Sequence, residues 1–97
     1  MEPKIVTANT HAVQRRFFEA IDELIAKGDL AGLQTFCNDY NLHRAKYSNL
    51  RSAVRDPEHD ARYKFIDIDA IIYLVRDFKV SAEWLLLGKG NMFKAGH

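Results

Sequence analysis

The sequence predicts an all-α domain of five helices, and three observations lead there. Apolar residues recur at spacings of three and four along most of the chain, as one face of a helix requires. Clean alternation of apolar and polar residues is missing; even Tyr63 to Ile66, the stretch nearest to a short strand, barely alternates. Helix-ending and helix-starting residues fall between the periodic runs: Gly28, Asn41, Ser81 and Gly88.

In chain order, residues 1–9 show no period and read as a flexible arm. A single domain over residues 10–93 follows, with 94–97 as a tail. Asn9 or Thr10 can cap the first helix, because a side-chain oxygen there accepts a free backbone N–H. Val13, Phe17, Ile21, Leu24 and Ile25 mark its face, and Lys27 and Gly28 end it. Phe18 falls beside that stripe, as a peripheral core contact or a partner surface. The acids of this helix fall on its solvated side. Gly32 blurs the start of the second helix, whose face is Leu33, Phe36, Cys37 and Tyr40. Asn41 stands where a sharp turn needs a residue that tolerates positive φ. Tyr47, Leu50 and Val54 give the third helix its face. Asp56 and Pro57 then break the pattern. A polar segment follows, tacked to the core by Tyr63, Phe65 and Ile66. The fourth helix starts at Asp67 or Asp69, with Ile68, Ile71, Ile72, Val75 and Phe78 as its stripe, widened by Leu74. Ser81 caps a last short helix bearing Trp84, Leu85 and Leu86, after which Met92 and Phe93 fold back.

Net charge is only +1, but it is unevenly spread. Residues 1–42 carry four bases and six acids, whereas residues 43–64 carry six bases and three acids. The third helix holds Arg44, Lys46, Arg51 and Arg55 and no acid. A local field of one sign steers a charged partner more than the total charge does. One cysteine excludes an internal disulfide framework. With no apolar run long enough for a membrane span and no signal-peptide core, a soluble cytoplasmic protein is expected.

The run from Phe36 to Leu50 resembles the helix-turn-helix of lambda-repressor-like (XRE/Cro-type) DNA-binding domains. A large apolar and a small residue (Phe36, Cys37) precede an apolar-turn-apolar step (Tyr40, Asn41, Leu42, His43), and Tyr47, Ser48 and Leu50 follow. The run Phe78-Lys79-Val80-Ser81-Ala82-Glu83-Trp84-Leu85-Leu86, then Gly88-Lys89-Gly90-Asn91-Met92, is similar to the ending of many such domains. Asn41 and Lys79 stand where those domains commonly have Gly, and Arg51 where they commonly have an acid. The resemblance implies a transcriptional regulator of phage or mobile-element type that binds double-stranded DNA by sequence, with the helix around 44–55 in the major groove.

On a helical wheel Ala45, Asn49 and Ser52 lie opposite the apolar face, with Ser48 beside them. Small residues there let the backbone approach base edges, where Asn49 can pair with adenine and Arg44 with guanine. Lys46, Arg51 and Arg55 flank the strip at phosphate reach. Gln34 and Thr35 are expected at phosphates too, and His43 as a helix cap or phosphate contact. A weak homodimer through Leu74, Phe78, Met92 and Phe93 would span half-sites about 34 Å apart. Trp84 is expected to be buried on the helix-turn-helix.

Enzyme readings have no support in the residues. The four histidines have no metal-ligand spacing with Cys37 or each other, and the glycines form no phosphate-binding loop. No catalytic residue, metal or cofactor is expected. The rival reading is a protein-interaction module that keeps the fold without binding DNA and uses Leu74, Trp84 and Phe93.

Overall fold

Thr7, rather than Asn9 or Thr10, caps the first helix of the computed structural model: its Oγ1 accepts the Thr10 N–H at 3.2 Å. The structure describes residues 6–56, 58–59 and 63–94, so most of the expected arm and tail lie outside the described residues. Helix α1 (Ala8–Lys27) buries Phe17, Phe18, Ala20, Ile21 and Leu24 along one side. Phe18 is 3 % exposed and meets Phe17 edge-on at 5.0 Å, so it belongs to the core and not to a partner surface. Gly28 ends the helix at φ 85°, a backbone state that costs a glycine nothing. The following Asp29 N–H then reaches back to the Leu24 carbonyl at 2.9 Å.

Helix α2 (Leu33–Asp39) starts from an extended Gly32 with no side-chain cap and buries Leu33, Phe36 and Cys37. Its turn follows the sequence signals. Asn41 takes φ 55°, and the Leu42 N–H closes onto the Cys37 carbonyl at 2.8 Å. Helix α3 (Arg44–Arg55) then starts under His43, whose Nδ1 accepts the Lys46 N–H at 2.9 Å. Tyr47 and Leu50 point into the core, and α3 packs against both α1 and α2.

Beyond α3, Tyr63 and Ile66 pack on the core. The buried Gln14 holds this return, its Oε1 accepting the Ile66 N–H at 2.8 Å. An apolar strand signal at Tyr63 to Ile66 leads to no strand: among the described residues the only bridge is an isolated antiparallel one between Val80 and Phe93. The protein is all-α.

Helix α4 (Ile68–Asp77) is rotated from its expected face. Ala70 and Leu74 are its buried residues, while Ile68 is 75 % and Ile72 44 % exposed. Ala70 and Leu74 share the inward side, with Ile71 half-buried against the core and Ile68 and Ile72 on the outward side. Leu74, at 0 % exposure, is therefore core and unavailable to a dimer or to any partner. Phe78 lies half-buried against Phe36 and Tyr40, at 5.9 and 6.3 Å between ring centres. Met92 and Phe93 fold back as expected. The Ser81 N–H donates to the Met92 carbonyl at 2.8 Å, the Lys94 N–H to the Lys79 carbonyl at 2.9 Å, and Lys27 Nζ sits 3.9 Å above the Phe93 ring. Of the surface expected to join two copies, Leu74 is taken into the core, while Phe78, Met92 and Phe93 stay half-buried.

Helix α5 (Ala82–Leu87) is capped by Ser81 Oγ, which accepts the Trp84 N–H, and ended by Gly88 at φ 71°. Leu85 is its fully buried residue. Trp84 is only half-buried, and the main packing of α5 is against α1. Arg16 of α1 explains the docking. Its Nε donates to the Leu85 carbonyl at 2.8 Å and its Nη2 to the Leu86 carbonyl at 3.1 Å. A cation is thereby set against the negative end of α5.

Lys79 joins α4 to this segment at φ 62°, a left-handed state strained for any residue with a Cβ. Lys79→Gly should stabilise the fold by ~0.5–1 kcal/mol, the relieved strain less the entropy that glycine adds to the unfolded chain. Lys79→Val should destabilise it. Thermal melts of the two variants check this, and equal midpoints would contradict a strained Lys79.

Candidate functional site

The face of α3 opposite its buried side is polar and largely open. Arg44, Ala45, Ser48 and Arg55 are exposed, and Ser52 is half-buried. With the start of α2 this face forms an open groove of about 420 Å³. Gln34 lines it from α2; Arg44, Ser48, Arg51, Ser52 and Arg55 line it from α3. Thr35 is half-buried one residue beyond Gln34. Helix period and the Asn41 turn bring these residues together, since together they fix which side of α3 faces away from the core.

Four expected contact residues have partners inside the protein. Lys46 Nζ donates to Asp67 Oδ1 at 3.1 Å, and its side chain is only 21 % exposed. Arg51 Nη2 donates to Asp22 Oδ1, and its Nε is buried with no partner among the described residues. Arg55 Nη2 donates to Asp22 Oδ2 at 3.3 Å. Asn49 turns towards the segment after α3: its Oδ1 accepts the Tyr63 N–H at 3.4 Å and its Nδ2 lies 3.1 Å from His59 Nε2. Arg44 has no ion pair among the described residues. His43 spends Nδ1 on its cap, and its exposed ring lies 5.7 Å from the Tyr63 ring.

Asp22 and Asp67 are the site residues that sequence reading missed. Asp22 was expected on the solvated side of α1, yet it receives two arginines of α3. The available signal was indirect: a helix with four cations and no acid beside an acid-bearing first helix. Asp67 precedes α4 as its cap residue, but its carboxylate does not bond its own helix. Tyr47 Oη donates to Asp67 Oδ2 at 2.6 Å and accepts the Asp67 N–H at 2.9 Å. The Tyr47 hydrogen bond, with Lys46 beside it, holds the Asp67 carboxyl below its ordinary range. Burial first, and Asp67 second, push the Tyr47 phenol well above its usual value.

The remaining chemistry is structural. Burial raises the Cys37 thiol, and Arg44 offsets part of that, so Cys37 stays protonated and acts as a small apolar residue. Arg76 first, then Tyr40, lower the exposed Asp77 carboxyl to about 2. Tyr40, stacked on Tyr73 at 4.2 Å, is raised to about 12, mainly by burial. Among the described residues no group of three or more His, Cys, Asp or Glu is placed to hold a metal ion, and no helix is long and apolar enough to cross a membrane. Comparison with protein-family models, curated proteins and solved structures finds no match for the chain.

Tyr47→Phe leaves the Asp67 N–H and carboxylate short of a partner and should cost about 1–3 kcal/mol at neutral pH. Because Asp67 is depressed in the fold, its contribution is present above the unfolded carboxyl value and is lost as pH falls below about 4. The stability difference between wild type and Tyr47→Phe should therefore shrink from pH 5 to acid. Thermal melts across that range measure it, and a constant difference would contradict the coupling.

Proposed function

We propose that this chain is a sequence-specific DNA-binding protein of the lambda-repressor-like type, a cytoplasmic transcriptional regulator that lays α3 in the major groove of double-stranded DNA. The observation that carries this reading is the outward strip of α3, where Ala45, Ser48 and Ser52 lie between Arg44 and Arg55. Small residues along the strip let the helix approach base edges, and cations at its borders meet the sugar-phosphate walls. Gln34 on the neighbouring helix supplies a further polar group at phosphate height.

The internal pairs redistribute the roles. Arg44 is the exposed guanidinium at the start of α3 with no ion pair among the described residues, so base reading falls first on it, with guanine as the geometrically matched base. Ser48 and Ala45 read by hydrogen bond and by apolar contact with a thymine methyl. Asn49 reaches adenine only by giving up its bonds to the segment after α3. Arg51 and Lys46, largely buried and paired, orient the helix.

The same pairs are what favours the rival class, an interaction module that keeps the fold without binding DNA, because they offset part of the positive charge of α3. Salt separates the two, since DNA binding releases counterions and weakens as salt rises.

Titration of a random-sequence duplex at several salt concentrations should show a salt-dependent affinity, and selection from a random duplex pool should yield a preferred site. On that site Arg44→Ala should lose ~1–3 kcal/mol of discrimination against random DNA with an unchanged thermal midpoint. Salt-independent or undetectable duplex binding would overturn the DNA reading. Full discrimination in Arg44→Ala would overturn the docking.

A further inference from the structure

We propose that Asp22 restrains non-specific DNA affinity by cancelling one of the two arginine charges at the C-terminal end of α3. The inference rests on the DNA-binding reading above. Its basis is a three-residue cluster that spans two helices. One carboxylate on α1 takes Arg51 on Oδ1 and Arg55 on Oδ2. Two guanidiniums and one carboxylate present a single net positive charge to the groove.

The two arginines are held differently. The Arg51 side chain is 23 % exposed and that of Arg55 59 %. Arg51 is packed between the helices and fixed, whereas Arg55 lies on the groove's edge with one bond of 3.3 Å. Only Arg55 has the reach and freedom to meet a phosphate. Asp22 itself is 44 % side-chain exposed, close enough to the same edge for its charge to oppose an approaching phosphate.

Phosphate attraction is blind to sequence. A carboxylate in this place therefore lowers the affinity for every duplex alike, while base contacts at the start of α3 are untouched. The protein gives up grip on random DNA and keeps its discrimination. Asp22 is a positioning and charge-balancing residue in this scheme, and it touches no base.

Asp22→Asn, Arg55→Ala and the double variant, titrated with a random-sequence duplex across a salt series, test the proposal. Freeing one cation adds about one phosphate contact. Asp22→Asn should then steepen the log–log salt slope by about 0.9 and bind roughly eightfold tighter at about 0.1 M salt. The double variant should return to the wild-type slope, because it lacks the one cation that Asp22→Asn frees to meet a phosphate. An unchanged slope in folded Asp22→Asn overturns the proposal, and so does a steepened slope that survives Arg55→Ala. A wild type with no salt slope overturns the DNA reading itself, which keeps the two failures apart. If loss of its partner on Arg51 prevents Asp22→Asn from folding, the arginine Nε–H resonances of the wild type decide. Duplex should shift that of Arg55 and leave that of Arg51, and the reverse result overturns the assignment.

Discussion

The fold turns on one phenol. Tyr47 is fully buried beside Phe17, with 6.0 Å between ring centres, and its hydroxyl must find partners there or cost the stability it would otherwise lend. It finds both on Asp67, donating to the carboxylate and accepting the backbone N–H. That reciprocal pair fixes where α4 begins. It also sets the rotation of α3, because a helix whose central tyrosine is fastened inward can present only one face outward. The start of α4 and the outward strip of α3 are therefore not independent. The phenol end of the pair is buried and the carboxylate end partly exposed, so losing the acceptor would strand the hydroxyl in the core.

Around this fixture the remaining elements are placed by backbone accounting. Each helix end has carbonyls or amides that need partners. Thr7, His43 and Ser81 supply three of the starts, and Gly28 and Gly88 allow two of the ends. Arg16 completes the end of α5 from a different helix. The aromatic residues then fill the space between α2 and α4, with Tyr40 lying at once on Phe36, Tyr73 and Phe78. The result is a packed platform under α3, whose outer residues Arg44, Ala45, Ser48 and Arg55 are exposed.

Local rules were readable in the sequence and long-range pairings were not. Asn41, Ser81, Gly28 and Gly88 could be placed because left-handed backbone and helix caps accept few residue types. The faces of α1 to α3 followed from spacing. The face of α4 did not, since Ile68, Ile71, Ile72 and Val75 offer two overlapping stripes and the deciding residue, Ala70, is too small to weigh in a hydrophobic pattern. Leu74 and Trp84 exchanged roles for the same reason: depth depends on which neighbour arrives, and spacing along one helix cannot show it. The candidate site was half legible. Arg44, Ser48, Ser52, Arg55 and Gln34 do share one groove. The acids that hold Lys46, Arg51 and Arg55 lie 21 to 33 residues away in sequence, and no spacing rule reaches that far.

The segment between α3 and α4 is clasped by Asn49, on the Tyr63 N–H and beside His59, and by Gln14 on the Ile66 N–H. The Gln14 clasp lies nearest to α4, on a residue just before the helix begins. The entry into α4 is therefore set from α1. Gln14 thus acts as a tie-off knot. It ties the start of α4 to α1, as the Tyr47–Asp67 pair ties it to α3.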